Sequence, residues 1–274
     1  VIVLDSYAAS VAIFLGINVL LALSLYIPMS AGQISLGHGG FMAIGAYTCA
    51  VLASRIGMPF AVALLVGGLA AAAAGLIVGF PALRIRGIYL IILTLGFGEI
   101  VRIFFLNFEP TGGPSGLTGI KQLTTLPVVA VACAIAAIIG FQLRRSRSGR
   151  AMLAVEEDEV AAGAMGVNVV MVKLASFAGG AFFAGVAGGL YAHHALFIEP
   201  GEFGFYRSAE IFLSVILGGV TTPWGPIGGA AFVTLVPEAL RFIQDWRMTF
   251  FGMLLVAMAI WRPEGLMFRR QAMR

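Results

Sequence analysis

A few side chains able to carry charge or protons are set into an otherwise apolar chain, and their spacing limits what they could do. Glu99 and Arg102 stand three residues apart, as do Arg207 and Glu210, the separation at which side chains on one helix meet. An ionised group inside a lipid-crossing helix costs about 2.5–3.5 kcal/mol near the bilayer centre. Each couple is therefore read either as mutual neutralisation or as part of a gate. His193 and His194, with Glu199 downstream, invite a metal reading. Adjacent helical residues point about 100° apart, however, and the further ligands such a site needs are not nearby. No His-Glu-x-x-His, Gly-x-Ser-x-Gly or P-loop pattern occurs, so membrane-embedded hydrolysis and intrinsic ATP binding have no residues to run on.

Three stretches rich in glycine, proline and polar groups interrupt apolar runs. The first, Pro28 to Gly40, carries Gln33, Ser35 and His38. Unpaired peptide groups cost several kcal/mol each in lipid, so such a segment is either a turn before a capped helix or a break that lines a wet path. Gln33, Ser35 and His38 are the first candidates for that path. The second, Leu217 to Ala230, packs two prolines and five glycines into fourteen residues; it cannot continue a helix and reads as a tight corner at or within the membrane. The third, Asn107 to Ile120, has the turn chemistry of a loop that folds over a cavity mouth, meets an external partner or simply connects two spans.

The stretch Ser148 to Asn168 differs in kind. Its middle reads as a short helix in which Met152, Val155, Val160 and Met165 are interspersed with Glu156, Glu157, Asp158 and Glu159, with Gly166 at the C-terminal cap. A short amphipathic helix outside the bilayer suits docking into a groove of another protein; the alternative is a solvated linker neutralised by its flanking arginines. A channel or secondary carrier does not need such an element, whereas a subunit driven by a separate ATPase does.

The elements that must position these groups follow from composition. Of 274 residues 60% are hydrophobic and only 11% charged, with mean hydropathy +0.99, far from the roughly one-quarter charged residues of a soluble domain. The reading is all-α: a polytopic transmembrane helical bundle of about 8–9 spans with broken or re-entrant segments, forming one domain over 1–274 with a cytoplasmic loop at about 144–173. Candidate spans lie near 8–27, 38–54, 61–80, 88–106, 127–143, 174–194, 207–221, 227–243 and 246–261, the seventh and eighth being short. Arg144, Arg145, Arg147, Arg150 and Lys173 in the loop, and Arg262, Arg269, Arg270 and Arg274 in the tail, place both inside by the positive-inside rule. Alternation brings Arg84 and Arg86 to the same side and puts the N-terminus outside, which suggests a leading helix ahead of Val1. The net charge of +4 is thus a matter of topology and gives no reason to expect nucleic acid as a partner. Cys49 and Cys133 fall inside spans, where a thiol packs as a small apolar group. Gly75 with Gly79 and Gly185 with Gly189 have the four-residue spacing that lets membrane helices approach closely.

The run from Ala31 through Gly-Gln-Ile-Ser-Leu-Gly-His-Gly-Gly to Tyr47 closely resembles the first signature of LivM-type permeases, the membrane subunits of branched-chain amino acid ABC importers. Further matches follow in order over nearly the whole chain: Arg86-Gly-Ile-Tyr-Leu, Thr94 to Arg102, Thr111 to Gly119, Gly149-Arg-Ala, Glu157 to Ala162, Gly166-Val-Asn, and Gly218-Gly-Val with Gly225 to Ala230. The resemblance implies a half-transporter in the bacterial inner membrane with no catalytic residues, metal or cofactor of its own. Its partners would be a second, usually non-identical permease, two cytoplasmic ATPase subunits that bind the ATP, and an external solute-binding protein. It places Glu157, Asp158, Glu159, Ala161, Ala162 and Gly166 in the element that docks on the ATPase. Gln33, Ser35, His38, Thr94 and Glu99 would lie near the translocation pathway. Similar permeases carry urea, short amides or aromatic acids, so the solute stays open. An ion-coupled carrier or channel is the reading that the broken segments, Glu99 and Glu210 would otherwise suggest.

Overall fold

The computed structural model describes residues 2–83, 85, 87–240 and the isolated positions 249, 252, 253 and 256, with residues 2–6 described by backbone alone. Ten helices follow one another: α1 Ile2–Met29, α2 His38–Ala50, α3 Phe60–Ala82, α4 Ile88–Asn107, α5 Leu126–Arg145, α6 Arg147–Glu157, α7 Glu159–Ala164, α8 Val169–Ala195, α9 Phe205–Gly218 and α10 Trp224–Ala239. The described residues form no named strand; one isolated bridge joins Leu117 to Ile198. The fold is all-helical, as the composition requires.

Among the described residues five helices, α1 from Tyr7 onward, α3, α4, α5 and α8, are long and apolar enough to cross a membrane. The other expected spans are realised differently. The span near 38–54 is α2 prolonged by a π turn at Val51–Arg55. Those near 207–221 and 227–243 are the shorter α9 and α10, folded against each other about the expected corner. The last, near 246–261, falls outside the continuously described residues, as do Arg84, Arg86 and the basic tail.

α8 is the axis of the bundle, packed on α1, α2 and α3. Small residues make this contact possible. A Cβ on Gly45 of α2 would lie 2.1 Å from the carbonyl oxygen of Gly185 in α8, and one on Gly188 would lie 2.0 Å from that of Met42. The backbones therefore touch, which side chains larger than hydrogen would prevent. Gly75 meets Ala181, and Gly189 meets Leu64 and Cys49, so both glycine spacings noted in the sequence serve close packing. Ile17, Leu20, Leu21 and Leu25 of α1, Phe41 and Tyr47 of α2, and Phe177 and Leu190 of α8 complete the core. Leu69, Ile77 and Phe80 of α3, Ile92 and Ile100 of α4, and Val131 and Ile138 of α5 point outward, an apolar girdle that only lipid or another membrane helix can cover without cost.

Two ends of the bundle can be distinguished. At one, α6 and α7 connect α5 to α8 beside the end of α1. At the other, residues 108–125 fold into two short 3-10 turns and are tied to the α8–α9 connection by the Leu117–Ile198 bridge, whose N–H···O distances are 2.8 and 3.3 Å. The Asn107–Ile120 stretch thus closes over the end of the bundle instead of hanging free.

Candidate functional site

The break after α1 sits inside the protein. Pro28 sits in the last turn of α1, which ends at Met29, and Gly32 takes a left-handed φ of 72°, after which the chain turns inward to start α2 at His38. Gln33, Ser35 and His38 are each buried, as is Thr94 of α4. Polar groups at that depth need partners, and the break supplies several. The Thr94 hydroxyl accepts the Leu36 N–H at 3.0 Å and donates to the Ile91 carbonyl. Ser35 Oγ accepts the Gly37 N–H at 3.2 Å. The Ser176 hydroxyl of α8 lies 3.0 Å from Gln33 Oε1 and 2.9 Å from the Lys173 carbonyl. At the head of α2, the Gly39 N–H is satisfied at 3.0 Å by Ser208 Oγ of α9. His38 packs edge-on to Phe41. Four of the five expected pathway residues thus converge on one buried knot joining α2, α4, α8 and α9. Glu99 lies apart: it pairs at 2.7 Å with Arg102, about one-third exposed on α4, beside Gly204 at the head of α9.

The acidic loop forms two helices where the sequence suggested one. Ser146 caps α6 by accepting the Gly149 N–H at 3.1 Å. Asp158 interrupts the run with an extended conformation and caps α7, accepting the N–H groups of Val160 at 2.8 Å and Ala161 at 3.0 Å. An Asp that can satisfy two orphan helix donors outcompetes helix continuation through it. Gly166, with φ of 86°, ends α7 in a Schellman arrangement: its N–H bonds to the Gly163 carbonyl and that of Val167 to the Ala162 carbonyl. The acidic residues do not form one outward face. Glu159 folds back to bridge Lys173 in the first turns of α8. The stem of Glu156 lies against Gly32, and this desolvation, then Glu157, raises its carboxyl above the usual range, with Arg144 opposing. Val160 (73% exposed) and Met165 (85% exposed) face outward together with Glu156, Glu157 and Asp158, while Met152, Val155 and Ala162 turn inward. The element is thus tied to α8 by Glu159 while presenting a tip of mixed acidic and apolar side chains.

A third cluster lies at the opposite end. Between α1, α9 and α10 a groove of about 840 Å³ is lined by Phe14, Asn18, Arg207, Glu210, Thr234 and Glu238 among others. Arg207 bonds to Glu210 at 2.7 Å and to Asn18 Oδ1 at 2.9 Å, and Asn18 Nδ2 donates to Thr234 Oγ1 at 2.9 Å. Tyr191 offers its ring to the guanidinium at 5.8 Å, and Glu238 accepts from the Tyr7 hydroxyl. The Arg207–Glu210 pairing was legible in the i, i+3 spacing. Asn18, Thr234 and Glu238 were not singled out, although each is a polar residue in an apolar run and so carried the same signal. His193 and His194 diverge, one facing the Lys121 carbonyl at 2.7 Å and the other Ser10 Oγ at 3.1 Å. Among the described residues no cluster of three or more His, Cys, Asp or Glu side chains suits a metal.

Comparison with known proteins bears on this arrangement. Residues 7–259 match the model of the branched-chain amino acid transport system permease component family. The chain is 38% identical to the high-affinity branched-chain amino acid transport system permease protein LivM of Escherichia coli K12 and to that of Salmonella typhimurium LT2. Each alignment covers 92% of this chain and 66% of the relative. It is 26% identical to the autoinducer 2 import system permease protein LsrC of Enterobacter sp. 638, over 89% of this chain and 75% of that protein. No solved structure matches significantly. With a family match over most of its length and a multi-pass helical bundle to carry it, the chain belongs to the branched-chain amino acid transport permease family.

Proposed function

We propose that the chain is the membrane-spanning permease subunit of an ATP-driven ABC importer for branched-chain or related amino acids handed over by an external binding protein. The observation that carries this reading is the α6–α7 element. It holds Val160 and Met165 out to solvent while Glu159 fastens it to α8 and Glu156 passes close to Gly32 in the break after α1. Such an element fits the groove of a cytoplasmic ATPase, by helix-in-groove recognition. Glu157, Asp158, Glu159, Ala161, Ala162 and Gly166 form the docking unit, Asp158 and Gly166 by shaping α7 and Glu159 by anchoring it. A second permease covers part of the apolar girdle, and ATP is bound by the two ATPase subunits.

The basic loop at 144–173 and the tail lie on the cytoplasmic side of the bacterial inner membrane, and the full chain crosses about 8–9 times with α9 and α10 as short elements. Work done at α7 passes to α8 through Lys173, then through Ser176 to Gln33 and the break, and from Gly39 to Ser208 on α9. Hydrogen bonds carry this route from Lys173 to Gln33 and from Gly39 to Ser208, with the backbone of the break joining the two. Gln33, Ser35, His38 and Thr94 form the closed side of the pathway in this conformation, with Glu99 at its flank.

The test is co-purification of the chain with the companion permease and ATPase subunits of its own cell, comparing wild type with Glu157→Lys and Val160→Asp, followed by uptake in liposomes. Loss of the ATPase subunits from both variants supports docking at α6–α7. Unchanged co-purification, or gradient-driven flux through the chain alone, refutes it in favour of a carrier or channel.

A further inference from the structure

We infer that the groove between α1, α9 and α10 is a binding site for an aliphatic zwitterion, in which Arg207 receives a carboxylate and Glu210, with Glu238 nearby, an ammonium group. The inference rests on the importer reading for the identity of the solute, but the groove argues for its own chemistry.

Lipid does not cover this groove well. Arg207, Glu210, Glu238, Asn18 and Thr234 all line it, and charges at the level of apolar helices face water, a ligand or one another. Arg207 is held in place: its side chain is 16% exposed, and two of its five N–H donors are committed to Glu210 and Asn18. Glu210 is 42% exposed on the same wall, so the ion pair has one fixed and one accessible member. Apolar lining comes from Val11, Phe14, Phe212, Leu213 and Val233 on the same three helices. The volume, about 840 Å³, falls within the range of about 300–1,000 Å³ usual for small-molecule sites.

A neutral Arg–Glu pair can exchange partners with a zwitterion without changing the charge of the site. The guanidinium trades Glu210 for the incoming carboxylate, and Glu210 takes up the ammonium. Neither ion is left unpaired, so the desolvation cost that would oppose binding of a singly charged solute is avoided. The aliphatic side chain meets the wall of Phe14, Phe212 and Leu213. The groove opens at the end remote from α6–α7, where a solute released by an external protein would enter. Ser208, the residue after Arg207, holds the head of α2, so occupancy here is felt at the buried break.

The experiment uses the assembled transporter with Cys49 and Cys133 changed to Ala and a single reporter, Ala209→Cys, on the groove wall. Modification by a charged, membrane-impermeant thiosulfonate is timed with and without added L-leucine, leucinamide, 4-methylpentanoate or urea. Leucine is expected to slow labelling at least about tenfold, the scale of losing charge-assisted bonds, while leucinamide and 4-methylpentanoate, each lacking one charge, do not. Arg207→Gln abolishes the protection, and Arg207→Lys retains part of it, which separates charge recognition from misfolding. Equal protection by leucine and leucinamide, protection by urea, or no protection by any probe overturns the inference. The two readings fail separately: ATPase-dependent leucine uptake without groove protection removes this site and leaves the importer, whereas protection in a chain that binds no ATPase does the reverse.

Discussion

Ser176 on α8 and Gln33 in the break after α1 are joined by a 3.0 Å hydrogen bond across 143 residues of sequence. Both are fully buried, and Ser176 lies one turn beyond Lys173, the residue to which the α7 element is fastened. On the proposed importer reading, the bond is the step at which movement of the docking element would reach the interior. Replacing Ser176 with Ala strands Gln33 in the core and is expected to cost about 1–3 kcal/mol. In the assembled transporter Ser176→Ala hydrolyses ATP at a near-normal rate while solute uptake falls. Parallel loss of hydrolysis and uptake would show the bond to be structural only.

Close backbone approach makes a sharper stability prediction. Gly45→Ala drives a methyl group into the Gly185 carbonyl, 2.1 Å away, and Gly188→Ala does the same at Met42. Neither helix can yield without unseating α3, so each change is expected to cost about 3 kcal/mol or more and to reduce the yield of folded protein. Gly96→Ala on α4, where a Cβ meets nothing within 4 Å, serves as the control and should be neutral or stabilising by up to about 1 kcal/mol. Thermal unfolding of the three purified variants in one detergent decides the matter.

Asp158 allows capping to be separated from charge. Because its carboxylate accepts two backbone N–H bonds at the start of α7, Asp158→Ala should destabilise the element by about 0.5–2 kcal/mol, whereas Asp158→Asn retains most of the cap. Amide exchange over 158–166 reports the difference. Fast exchange in the Ala variant alone identifies a cap; equal effects of Ala and Asn would assign the role to the negative charge.

The pH response of the same region has a defined sign. Burial, then the nearby Glu157, raises the folded-state pKa of Glu156 above its ordinary 4.5, with Arg144 opposing. The folded state therefore holds the proton longer than the unfolded one, and the stabilisation is complete below the ordinary value and lost as pH rises through the raised one. The contact between α6 and the break should loosen on going from about pH 4.5 to neutrality, seen as faster amide exchange near Gly32. Glu156→Gln should remove that dependence. Tightening with rising pH would contradict the assignment.

What could be read from the sequence was local. The three breaks were visible because glycine, proline and polar groups cannot hide in apolar helices, and both Arg–Glu couples were visible because a helix brings i and i+3 together. What Gln33 touches was not legible, since its partner is 143 residues away, and Asn18 meets Thr234 across 216. The single short helix expected in the middle of 148–168 became two because Asp158 sits where side-chain capping competes with helix continuation, a contest that hydrophobic spacing does not register. Apolar runs also marked the candidate spans, and the seventh and eighth were already legible as short ones, as α9 and α10 are.

The contact of α2 with α8 has a consequence for how this protein can vary. Every amino-acid replacement reachable from a glycine codon adds a Cβ, so at Gly45 and Gly188 no conservative neighbour exists in mutational space. Change there requires the facing backbone to move at the same time, and α8 is braced by α1 and α3 as well. The girdle that faces lipid, by contrast, can exchange one aliphatic residue for another freely. Divergence should therefore accumulate as a shell around an axis that admits almost none.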